Sequence, residues 1–171
     1  MVLNRPQDSQ TLALHLKKID LCKKAVEVAE QSHRNLESLY NAGRVDGAML
    51  FGGEARVGAA TIDLIDAQVA LAKTGLLSAT QPTMADTDKD GLPDMVHAPL
   101  DVNELLTQKV ALLRKVLEHR TKAHKEQISL HQSGRRSPTD VAEAAQLMFE
   151  AEIDVVNARL ELRSLQSADA R

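Results

Sequence analysis

From Leu12 onward, apolar residues recur at three- and four-residue steps: Leu12, Ile19, Cys22, Val26, Ala29, Leu36 and Tyr40. His15 and His33 fill the remaining places of the same stripe. This spacing keeps one helix face apolar and predicts a heptad-type amphipathic helix that stops at Gly43. A second stripe runs through Leu50, Val57, Ala60, Leu64, Ala67 and Leu71 and closes near Gly75. Between Gly75 and Pro99 the periodicity gives way to Gly, Pro, Ser, Thr and Asp, which predicts a loop. A third stripe follows with Leu106, Val110, Leu113, Leu117, His124 and His131, and a fourth with Val141, Ala144, Met148, Ala151, Val155, Ala158, Leu162 and Leu165. The chain reads as four amphipathic helices.

The two halves are copies. Leu14, Lys18, Leu21, Lys24 and His33 align without gaps on Leu105, Lys109, Leu112, Lys115 and His124. Ser38, Leu39, Gly43 and Arg44 continue onto Ser129, Leu130, Gly134 and Arg135. Ala60, Ile62, Asp63, Ala67 and Leu71 then match Ala151, Ile153, Asp154, Ala158 and Leu162. One constant offset spans both helices and the turn between them, the mark of an internal repeat. The repeat is a helical hairpin with arms of about 45 Å at 1.5 Å per residue. Neither hairpin can bury its stripe alone, so the expected fold is all-α, an antiparallel, coiled-coil-like four-helix bundle. Its expected parts are an N-terminal tail (1–10), hairpin 1 (11–75, tip near 43–47), an Asp-rich linker (76–100), hairpin 2 (101–167, tip near 134–138) and a C-terminal tail (168–171).

The turn chemistry is fullest in the second copy, HQSGRRSPTDVAEA. Gly134 can take the left-handed conformation that ends a helix, Ser137 is a good N-cap, and Pro138 suits the first helical turn. Asp140 lies where an acid favours the helix dipole. The first copy keeps Gly43 and Arg44, but Asp46 and Gly47 replace the later cap residues. Gly52, Gly53 and Gly58 weaken the start of the second helix by up to about 1 kcal/mol each relative to Ala. Fraying is the expectation for that segment, with close approach of another backbone as the alternative.

Composition narrows the function. The 171 residues include two Phe, one Tyr and no Trp, a profile suited to long helices rather than a pocketed enzyme. A net charge of −3 with interspersed signs offers no nucleic-acid surface. The lone Cys22 excludes an internal disulfide framework and a Cys-based zinc site. No apolar run reaches the roughly 20 residues of a membrane span, and MVLNRPQDSQ lacks a signal peptide's apolar core. No Ser–His–Asp set, phosphate loop or nucleotide fingerprint is present, so no catalytic residues are assigned.

The segment LHQSGRRSPTDVAEAAQLMFEAEIDVVNARLEL resembles the hairpins of TolC-type outer-membrane efflux factors. Those carry L-Y-x-x-G-(R/T)-x-(S/T)-x-x-D-V-L-x-A followed by alanines near heptad spacing. Leu130, Gly134, Arg135, Ser137, Asp140, Val141, Ala144, Ala151 and Ala158 occupy the matching places. The first copy keeps LYNAGR (Leu39 to Arg44), with Met49 where the aspartate belongs. The resemblance implies that the tips, at Gly43, Arg44, Gly134, Arg135 and Arg136, engage protein partners, as family tips engage the hairpins of periplasmic adaptors. It also implies a periplasmic or cell-envelope setting, with a cytosolic coiled-coil scaffold as the alternative. The 76–100 linker has no alternating pattern and is too short for a pair of membrane strands of about 10 residues each. The hairpin therefore carries over, and a membrane barrel does not.

Two candidate metal sites remain. In DTDKDGLPD the alternating Asp86, Asp88 and Asp90, then Gly91 and Asp94, resemble the first half of an EF-hand loop and a thrombospondin type 3 repeat. Such oxygens suit Ca²⁺, whereas His97 replaces the bidentate Glu of a complete EF-hand. A solvated acidic turn is the competing reading. Glu30 and His33 fit the Glu-x-x-His element of di-metal bundles, but Thr121 stands at the equivalent place before His124. The rival to an interaction protein is accordingly a metal-binding bundle, carrier or enzyme. Asp63 and Asp154 are expected on a solvated face or paired with a neighbouring helix.

Overall fold

A computed structural model describes residues 6–76 and 100–169. Helix α1 runs Pro6–Asn41, α2 Gly47–Lys73, α3 Val102–Gln132 and α4 Pro138–Asp169. α1 begins inside the expected N-terminal tail and α4 enters the expected C-terminal one, because neither segment contains a helix-stopping signal. The architecture is the all-α, antiparallel four-helix bundle that the stripes predict.

The two glycine turns fold alike. Gly43 and Gly134 take φ of 68° and 72°, a conformation open to glycine at no steric cost. In the first tip, Gly43 N–H donates to the Tyr40 carbonyl and Arg44 N–H to that of Leu39, each at 2.9 Å. In the second, Gly134 donates to His131 at 2.8 Å and Arg135 to Leu130 at 2.9 Å, the repeat equivalents. These bonds satisfy carbonyls that the end of a helix leaves without partners.

Extensive packing joins α1 to α2, α2 to α3, and α3 to α4. The core clusters draw on the last three helices. Ile65 and Val69 of α2 meet Leu105 and Leu106 of α3, with Leu162 and Leu165 of α4 against them. Val110 and Leu113 meet Val155 and Ala158, while Ala55, Val116 and Ala151 form the cluster nearer the tips. α1 contributes half-buried residues along its predicted stripe (Leu12, His15, Ile19, Cys22, Val26, Ala29, His33 and Leu36), and none of its described residues is fully buried. Tyr40, placed on that stripe by spacing, is 44% exposed at the tip.

α2 and α3 each bury two faces, the second of which lies off the heptad stripe. Ile65, Val69 and Ala55 on α2, and Leu105, Val116 and Ala123 on α3, lie off the first stripe and are buried. Gly53 and Gly58 of α2 are contact points, whereas Gly52 faces open space. A Cβ on Gly53 would stand 2.8 Å from Leu36 Cδ1, and one on Gly58 would stand 2.4 Å from Val116 Cγ2. The segment is helical from Gly47 rather than frayed, and what comes close to Gly53 and Gly58 is a side chain in each case, with the His33 backbone at 4.0 Å from a Cβ on Gly53. The start of α2 is capped: Asp46 accepts from Met49 N–H at 3.0 Å, and Gly47 and Ala48 are buried.

Candidate functional site: the paired hairpin tips

Because successive helices run antiparallel, both turns arrive at the same end of the bundle. They are joined there by one carboxylate. Asp46 Oδ1 caps α2, while its Oδ2 accepts from Arg136 of the other tip at 2.5 Å. That hydrogen bond, and then the charge behind it, raises the Arg136 guanidinium above its ordinary range. The His131 ring nitrogen Nδ1 lies 2.9 Å from the Arg136 carbonyl oxygen, so the second turn is braced from both sides. Arg136 is thus a structural clasp between the hairpins, while Arg44 and Arg135 are exposed. Between the tips lies an open groove of about 500 Å³ lined by Arg44, Asp46, Met49, Glu126, Arg135 and Arg136, among others.

The second tip also carries a reciprocal cap. Ser137 N–H and Oγ–H both donate to Asp140 Oδ2 at 2.9 Å, and Asp140 N–H donates back to Ser137 Oγ at 3.2 Å. The backbone bond first, then the hydroxyl, hold the Asp140 carboxyl below the usual carboxylate range. A carboxyl lowered on folding adds stability above its unfolded value, and that stability drains as pH falls through the folded one. We therefore expect Asp140→Asn to lower the melting temperature at pH 7. The gap to the parent should begin to narrow near about pH 4, where the unfolded carboxyl takes up its proton, and close only as pH falls through the lower folded value. Melts at pH 7, 5 and 3 measure this, and an unchanged gap at pH 3 would show that the charge contributes nothing. Met49 occupies the equivalent place in the first tip, so that tip has only the single Asp46 cap.

The other sequence candidates fall as follows. Asp86, Asp88, Asp90 and Asp94 of the calcium-loop reading lie outside the described residues. Among the described residues no three His, Cys, Asp or Glu side chains gather as a metal-binding group, Glu30, His33 and His124 included. Glu30 instead faces Arg34 at 3.7 Å along its own helix. His33 packs against Gly53. Asp63 and Asp154 are exposed, and no ion pair involves either of them among the described residues, so they belong to the solvated face. The ion pairs between helices are not repeated as pairs: Lys109 has its equivalent in Lys18, but its partners Asp66 and Glu161 have none. Lys109 reaches Asp66 at 2.6 Å, and His119 Nδ1 lies 2.6 Å from Glu54. Lys73 meets Glu161 at 3.0 Å. Arg120 lines a small groove of about 160 Å³ with Gln127 and Asp140, and burial, then the neighbouring Arg56, pulls its guanidinium below the ordinary range.

Comparison with known protein families, curated proteins and solved structures returns no match. Among the described residues no helix is long and apolar enough to cross a membrane.

Proposed function

We propose that the chain is a non-enzymatic, TolC-like helical-hairpin protein of a bacterial envelope that works by coiled-coil packing and presents its paired tips to a protein partner, in association with efflux or transport assemblies. The observation that carries this reading is the tip end itself. Two equivalent Gly-Arg turns stand side by side, clasped by Asp46 and Arg136, and leave Arg44, Arg135, Tyr40 and Met49 exposed around one groove. An exposed aromatic and a flexible methionine beside guanidinium groups suit a protein surface carrying carboxylates. The grooves of the bundle are open and its seams are built from alanine and leucine, which favours contact over catalysis.

The test is site-specific photo-crosslinking in the cell envelope from Arg44 and Arg135, with Asp63 and Asp154 as solvated-face controls. The expected result is a discrete adduct from the tip positions alone, lost when Arg44→Glu and Arg135→Glu are combined. Adducts at tip and face alike, or none at the tip, would overturn the proposal.

A further inference from the structure

α1 and α4 have no extensive contact with each other, so each leaves an exposed apolar face at its side of the bundle. On α1, Leu14, Leu21 and Val28 recur every seventh residue and are 69%, 55% and 70% exposed. On α4, Phe149, Ile153, Val156 and Leu160 recur at four, three and four, and are 55%, 58%, 49% and 59% exposed. Each is a heptad seam without a partner.

The internal repeat says what each seam is made for. The equivalents of Leu14, Leu21 and Val28 are Leu105, Leu112 and His119, the residues with which α3 meets α2. Phe149, Ile153, Val156 and Leu160 correspond to Gly58, Ile62, Ile65 and Val69, with which α2 meets α3. The α2–α3 contact is thus present within the chain, and both halves of the same contact stand open at its ends. We infer that α4 of one copy packs on α1 of another in the register of α2 on α3.

Residue exchanges across the repeat support this pairing. Inside the chain Gly58 sits directly against Val116. At the edges the same two places hold Phe149 and Ala25, so the large residue has moved to the other helix and its opposite has shrunk. The shrunken side is visible as a groove of about 440 Å³ whose lining includes Ala25, Val28 and Ala29 of α1 with Gly53 and Arg56 of α2. Its wall is almost wholly apolar, and the register sets the Phe149 ring of the second copy there. Likewise the polar pair Glu54–His119 becomes Ala145 and Val28, apolar on both sides. An interface whose two sides differ is heterologous, so copies add head to tail and either close a ring or extend.

This inference deepens the proposal of packing through hairpins and rests on it only for the packing, since it makes no use of the tip partner. Its test uses purified protein alone. Light scattering should give a mass above the 18.7 kDa of one chain. Leu21→Glu on one edge, or Ile153→Glu on the other, should return the protein to monomer with its helical circular dichroism unchanged. In a Cys22→Ala background, Ala25→Cys protein mixed with Phe149→Cys protein should form a disulfide-linked dimer. The internal equivalents are set for it: a Cβ on Gly58 lies 3.8 Å from Val116 Cβ, the usual spacing across a disulfide. Gly58→Cys with Val116→Cys in one chain is therefore the positive control. Three results would each overturn the inference: a monomer at all concentrations; covalent dimers from Ala25→Cys or Phe149→Cys protein alone, which report like-with-like pairing; or association that both edge variants leave intact. None of these bears on the tip crosslinks, so the two proposals fail separately.

Discussion

Gly58→Phe should cost about 3 kcal/mol of stability, at the upper end of what overpacking does in well-filled interiors. The reason is distance: even a methyl group at this position would stand 2.4 Å from Val116 Cγ2, well inside contact. Because a non-glycine residue is better in a helix by up to about 1 kcal/mol, the loss measures the collision after that gain is subtracted. Val116→Ala in the same chain should recover a large part of it, because the pair then becomes the one found at Phe149 and Ala25. Denaturant unfolding of the parent, both single variants and the double variant gives the coupling. A value near zero would mean that α2 and α3 do not approach as closely as the structure has them, since residues in contact couple by about 0.5–3 kcal/mol.

The second large effect separates two leucines that the sequence treats alike. Leu14 and Leu105 are repeat equivalents, but Leu105 is 7% exposed and Leu14 is 69% exposed. Leu105→Ala removes buried methyl groups from the cluster with Ile65 and Val69 and should cost about 2–5 kcal/mol. Leu14→Ala, measured at a concentration where copies are separate, should cost within about 0.5 kcal/mol of nothing, as surface changes do. Chemical denaturation of both variants at low micromolar concentration checks the contrast. Equal losses would place α1 in a closed bundle rather than on an edge.

Much of this was legible in the sequence, for a definable reason. A heptad stripe reports the face that a helix turns to its hairpin partner, and all four stripes pointed the right way. The Gly43 and Gly134 turns were equally readable, because only a left-handed residue ends a helix in that manner. The contact between hairpins was harder to see. α2 and α3 each carry a second apolar face, and Ile65, Val69, Leu105 and Val116 look like ordinary scatter until the first stripe is assigned. Gly58 reads locally as a weak helix residue, and only its neighbour across the gap, Val116, makes it a near-touching point. Arg135 and Arg136 were indistinguishable as adjacent guanidinium groups, although Arg136 is held by Asp46 and Arg135 is free to face solvent. The aspartate that separates them lies in the other hairpin, and no local pattern links the two.

The shared carboxylate of Asp46 has a mechanical consequence. At the end of the bundle away from the tips, Lys109 and Glu161 draw α2, α3 and α4 together. At the opposite end the same oxygen pair both starts α2 and holds Arg136. A load applied to the second tip therefore reaches the first turn of α2 through this side chain as well as through the packing of α2 on α3. The two hairpins are pinned at both ends, like levers on a common frame, so the motion left to them is bending and twisting along their length rather than opening like tongs.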